Sequence, residues 1–68
     1  MIADLLKYNI ELRPTVLTID IAVNLYYKNI FVGTYWYYSK DICTNITGIQ
    51  QNVSINDFIK IIKLKAFC

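Results

Sequence analysis

From Leu17 to Tyr27 every second position is a large apolar residue: Leu17, Ile19, Ile21, Val23, Leu25 and Tyr27 alternate with Thr18, Asp20, Ala22, Asn24 and Tyr26. A period of two marks a strand with one buried face. The pattern breaks at Lys28-Asn29 and resumes from Ile30 to Tyr38 (IFVGTYWYY), a run of the β-branched and aromatic residues that suit a pleated surface. Two such arms around a two-residue break predict one long hairpin over residues 15–38. Asn29 tolerates the left-handed backbone that so tight a turn requires.

A two-residue turn also sets the register. Tyr27 then faces Ile30, Leu25 faces Val32, Val23 faces Thr34, Ile21 faces Trp36 and Ile19 faces Tyr38, an apolar ladder on which helices can sit. The opposite side pairs Tyr26 with Phe31, Asn24 with Gly33, Ala22 with Tyr35 and Asp20 with Tyr37, a row of rings with polar residues between them. A three-residue loop shifts the partners by one and exchanges the faces of the second arm.

On either side of the hairpin the period changes. Ile2, Leu5 and Leu6 recur at helical spacing, with Asp4 in the first turn where the helix dipole favours an anion. Tyr8, Ile10 and Leu12 against Asn9, Glu11 and Arg13 read instead as a strand, and both readings hold if a short helix runs into an extended segment. Pro14 ends whatever precedes it, because it drives Arg13 out of the α region and cannot donate to a ladder. Beyond the polar turn Ser39-Lys40-Asp41, residues 42–49 (ICTNITGI) alternate again and predict a third strand, closed by Gly48 and Gln50-Gln51-Asn52. Ser54 is placed to cap a helix, with Asp57 completing a capping-box variant. Ile55, Phe58, Ile59, Ile62 and Ala66 fall on one stripe of that helix, Lys60 and Lys63 lie away from it, and Lys65 lies near its C-terminus. The alternative for this Ile-rich segment is a fourth strand, since Ile61, Leu64 and Phe67 lie off the stripe. The fold class is α+β: one domain over residues 1–68, with an antiparallel three-stranded sheet built on a long central hairpin, N- and C-terminal helices, and the order α-β-β-β-α.

Composition narrows the function. With 68 residues, 56% hydrophobic and 18% charged, the chain cannot hide all of its large apolar side chains. Below roughly 70–80 residues one core rarely supplies more than about 3–5 kcal/mol, so dense packing or self-association is expected to add to it. A formal net charge of +2 selects no polyanionic partner. Uncharged stretches reach the ~20 residues of a spanning helix only if read across Lys28, where the alternation argues for a sheet, so no membrane partner is expected. No charged segment precedes an apolar run at the N-terminus, which does not read as a secretory signal, and the expected location is the cytoplasm. There Cys43 and Cys68 read as two reduced thiols, with a disulfide tying the C-terminus to the middle of the chain as the alternative, and the acceptor patterns Asn45-Ile46-Thr47 and Asn52-Val53-Ser54 carry no glycan. Ile, Asn, Lys and Tyr, whose codons are rich in A and T, supply 30 of the 68 residues. That composition suits a bacteriophage, virus or mobile element, or a low-GC bacterium.

Several chemistries drop out. There is no histidine, the commonest general base and metal ligand at neutral pH. Two cysteines 25 apart form no zinc motif, no carboxylate run imitates a calcium loop, and two glycines cannot build a phosphate cradle. Neither a catalytic residue, a metal ligand nor a cofactor is expected. What remains is the ring-lined hairpin face, with Tyr26, Phe31, Tyr35 and Tyr37 as candidate contact residues, Asp20 among them mid-strand and Lys28 at the turn. Such rings bring large area and a polar tip at small entropic cost. They point to a non-enzymatic binding protein whose partner is a host protein that it inhibits or modulates, or a second copy of itself as a homodimer. The alternative uses the same tyrosines to stack single-stranded nucleic acid, with Lys28, Lys40, Lys60, Lys63 and Lys65 on phosphates.

Overall fold

The computed structural model describes residues 2–17 and 19–66, apart from the side chains of Ile2, Lys65 and Ala66. At Lys28-Asn29 the chain reverses with φ angles of 52° and 67°, both left-handed, as a type I′ hairpin turn demands. In chain order the elements are α1 (Ile2–Lys7), β1 (Ile10–Arg13), β2 (Ala22–Tyr27), β3 (Ile30–Trp36), β4 (Asp41–Thr44), β5 (Gln51–Val53) and α2 (Ile55–Ala66). All the strands join one antiparallel sheet whose spatial order is the sequence order, β1-β2-β3-β4-β5. Leu5 of α1 and Ile55, Phe58, Ile59 and Ile62 of α2 pack with Ile10, Val23, Leu25, Val32, Tyr35 and Ile42 of the sheet into one core, so both helices cover the same face.

The α+β class read from the sequence holds, but the sheet has five strands where three were expected. Both readings of the N-terminal segment apply in succession. The N–H groups of Tyr8 and Asn9 donate to the carbonyls of Leu5 and Leu6 at 3.1 Å each, and Asn9 adopts a left-handed φ of 63° that ends α1 and sends the chain back as β1. At the other edge Gln51–Val53, expected to terminate a strand, instead forms β5 against β4, with Ile42 opposite Val53 and Cys43 opposite Asn52. The third strand therefore stops at Thr44, and Gly48, at a left-handed φ of 93°, lies in the turn between the two. An edge strand with one free side tolerates the polar Gln51 and Asn52.

Two further departures move side chains. The first arm is a strand only from Ala22, and residues 14–17 and 19–21 form turns and irregular backbone. Pro14 closes β1, and beyond Trp36 the chain turns, with the Lys40 N–H donating to the Trp36 carbonyl at 2.8 Å, so the ladder between β2 and β3 ends at Ala22 and Trp36. The second departure is a β-bulge. Tyr26 faces Phe31 as expected, but Leu25 faces Gly33, which leaves Val32 as the extra residue and reverses the faces of β3 beyond it. Thr44 holds the bulge: its Oγ1 donates to the carbonyl of Val32 at 2.6 Å from within the core. Gly33 makes room, since a Cβ there would stand 2.9 Å from the Cys43 carbonyl oxygen.

At the C-terminal end α2 displaces the fourth-strand alternative. Ser54 caps it, its Oγ accepting from the Asp57 N–H at 3.2 Å. Ile55, Phe58, Ile59 and Ile62 are buried as the stripe predicts, and Leu64 is exposed. The expectations for the side chains of Lys65 and Ala66, and for Phe67 and Cys68, fall outside the described residues. Cys43 carries a free, half-buried thiol. Among the described residues no helix is long and apolar enough to cross a membrane.

Candidate functional site

Residues directly opposite one another across a sheet share a face. On the side away from the helices the row Arg13, Asn24, Thr34, Cys43 and Asn52 crosses all five strands, flanked by Glu11, Tyr26 and Phe31 on one side and Ala22, Trp36 and Asp41 on the other. Ala22 is buried, and the rest of these side chains are half-exposed or exposed. Strand alternation explains why one face is apolar and this one mixed, because each strand sends every second residue out.

At the hairpin end of this face Arg13 lies across the sheet. Its Nη2 donates to Glu11 Oε2 and to Asn29 Oδ1, each at 2.8 Å, and its guanidinium carbon sits 4.2 Å from the centre of the Tyr26 ring. Tyr26 in turn meets Phe31 edge to face, with centroids 5.7 Å apart and planes at 71°. The hydrogen bond from Arg13 holds the Glu11 carboxyl below its usual pKa, and the same bond raises that of Arg13, so the pair stays ionised through neutral pH. Arg13 thus stands oriented by two hydrogen bonds and a ring face, with donors to spare. Beside it Thr34 Oγ1 donates to Asn24 Oδ1 at 3.3 Å, and a shallow hollow of about 210 Å³ opens between Phe31, Thr34, Cys43, Thr44, Asn45 and Gln50. That is smaller than the roughly 300–1,000 Å³ of most ligand pockets.

Of the six residues expected to form the contact surface, the fold brings only Tyr26 and Phe31 together there. The bulge turns Tyr35 inward, opposite Val23 and Ile42, where it is 8% exposed. Tyr37 lies past the end of β3 with its ring 5.8 Å from that of Tyr35. Asp20 is not mid-strand but exposed in the loop before β2, and Lys28 reaches over the ring of Tyr27 at 5.4 Å, away from Tyr26. Arg13 and Trp36 were missed. Trp36 was placed on the core ladder by a register without the bulge, and an isolated glycine inside a strand pattern, Gly33, was the signal that could have exposed the error.

The lysines stand elsewhere. Lys7, Lys60 and Lys63 line a 430 Å³ groove between α1 and α2 together with Asp4, Tyr8, Asn56 and Ile59, and Lys63 Nζ sits 4.6 Å from the Tyr8 ring centre. Among the described residues no three of Cys, Asp and Glu approach closely enough to hold a metal ion. No protein-family model, no curated protein and no solved structure matches the chain.

Proposed function

We propose that this chain is a non-enzymatic binding domain that works by protein–protein contact through the uncovered face of its sheet, with Arg13, Tyr26, Phe31 and Trp36 as its anchors. The observation that carries this reading is the Arg13 side chain, held by Glu11 and Asn29 over the Tyr26 ring beside an exposed Phe31. Arg and aromatic side chains dominate the energetics of protein interfaces, and side chains ordered before association lose little entropy on binding. The role we assign is inhibitor or modulator of a host protein, in keeping with a composition rich in Ile, Asn, Lys and Tyr, which suits a virus or mobile element. Against nucleic acid stands the separation of rings from most of the charge: Lys60 and Lys63 line the groove between the helices, away from Tyr26 and Phe31.

Site-specific photo-crosslinking tests this reading. A crosslinking residue at position 31, in cells of the natural host, is expected to capture a protein, with the adduct lost in Arg13→Ala, while the same probe at position 60 captures none. A nuclease-sensitive adduct at position 60, with nothing at position 31, would replace the protein-contact reading with the nucleic-acid one.

A further inference from the structure

The end of the sheet opposite the Lys28-Asn29 turn carries a second exposed feature, next to Trp36 and away from Arg13, Tyr26 and Phe31. There the loop between Arg13 and Ala22 meets the turn of residues 37–40, and the Tyr37 N–H donates to the Ile21 carbonyl at 3.0 Å, tying the two segments together. Val16 and Leu17 are each 93% exposed, Tyr38 is 100% exposed, and Ile19 and Ile21 are more than half exposed. With Tyr37 they present on the order of 800 Å² of largely apolar surface, about what one partner contributes to a standard interface. Asp20 and Lys40 are the charges in these two segments. Neither belongs to the ion pairs Lys7–Asp4 and Arg13–Glu11 found among the described residues.

We infer that this apolar end is the interface of a homodimer. One acid and one base flanking an apolar patch complement a second copy of themselves: under a two-fold axis Asp20 of one chain meets Lys40 of the other, and the reciprocal contact follows from the symmetry. Asp20 and Lys40 cancel, so the patch lacks the basic excess that holds a protein on an anionic lipid surface, which makes a bilayer the poorer occupant. Each copy covers the Val16, Leu17 and Tyr38 side chains of its partner. The two sheet faces are left free, so the dimer is bivalent towards any protein that they bind.

Sedimentation velocity of the full chain over a range of concentrations tests the dimer. The expected species has twice the 8.0 kDa chain mass, and Leu17→Asp weakens self-association at least about tenfold with an unchanged circular dichroism spectrum. Asp20→Lys and Lys40→Asp should each weaken it, and the double exchange should restore it. Lys40 has a left-handed φ of 61°, a conformation that aspartate accepts, so the exchange leaves the turn intact. A chain that stays monomeric at its solubility limit overturns the inference, as does a dimer indifferent to Leu17→Asp or a double exchange that restores nothing. Leu17-dependent co-sedimentation of a monomer with phosphatidylcholine–phosphatidylglycerol vesicles would overturn it in favour of a membrane surface.

Discussion

The two faces of this sheet are ordered by different forces. On the helix side Leu25, Ile42 and Phe58 are fully buried and held by close packing alone, which has no preferred direction and needs no polar partner. On the outer side Arg13, Tyr26 and Phe31 are held by directed contacts, hydrogen bonds of 2.8 Å and an edge-to-face ring pair, while one flank of each stays open to water. Removal of water drives the first arrangement and gives the fold its stability. The second is positioned without being buried, so it adds little to folding and is available to something outside.

That contrast can be broken most forcefully from the inside. Phe58→Ala removes the largest fully buried side chain among the described residues, and its expected cost is about 3–5 kcal/mol, read as a lower midpoint in chemical denaturation. Gly33→Ala acts at the seam between the faces. Its new methyl meets the Cys43 carbonyl at 2.9 Å and Ile42 Cγ2 at 3.1 Å, and because a backbone oxygen cannot swing aside, a loss of about 1–3 kcal/mol is expected in the same measurement. On the outer face Arg13→Ala should change stability by no more than about 0.5 kcal/mol. A loss as large as that of Phe58→Ala would mean that this face, too, belongs to the core.

Acid gives the smallest effect. The folded Glu11 carboxyl titrates below its ordinary value of 4.5 because Arg13 hydrogen-bonds to it. Its contribution is therefore complete above the unfolded pKa and disappears as pH falls through the folded one. The group is exposed to solvent, so the contribution is slight. Thermal midpoints of the wild type and Glu11→Gln should differ a little at neutral pH and converge in acid; a gap that widens on acidification would contradict the Arg13 pairing.

Local features were legible in the residues themselves. The Lys28-Asn29 turn, the Ser54 cap and the stripe of Ile55, Phe58, Ile59 and Ile62 depend on neighbours within about one turn of chain. The contact surface was legible only in part, because its membership depends on which way β3 faces. Tyr26 and Phe31 lie next to the turn, where the register starts, and were placed correctly. Tyr35 and Trp36 lie beyond Val32, where the bulge exchanges their sides. Arg13 reads in sequence as the polar residue before Pro14, and its neighbours Tyr26 and Asn29 are supplied by the next strand and the turn that follows.

By itself the sequence determined the hairpin, the helix at each side of the sheet region and the α+β class, since these follow from short-range periodicity and turn chemistry. Only the tertiary structure decided how far each strand runs and which face each ring occupies. Leu17, Ile19 and Ile21 share the alternation of Val23, Leu25 and Tyr27, yet only the latter form a strand. The physical reason is that a strand's hydrogen bonds are made to another segment of chain. Where Pro14 and the turn after Trp36 end the neighbouring strands, the alternation of Leu17, Ile19 and Ile21 no longer forms a ladder and these side chains remain exposed.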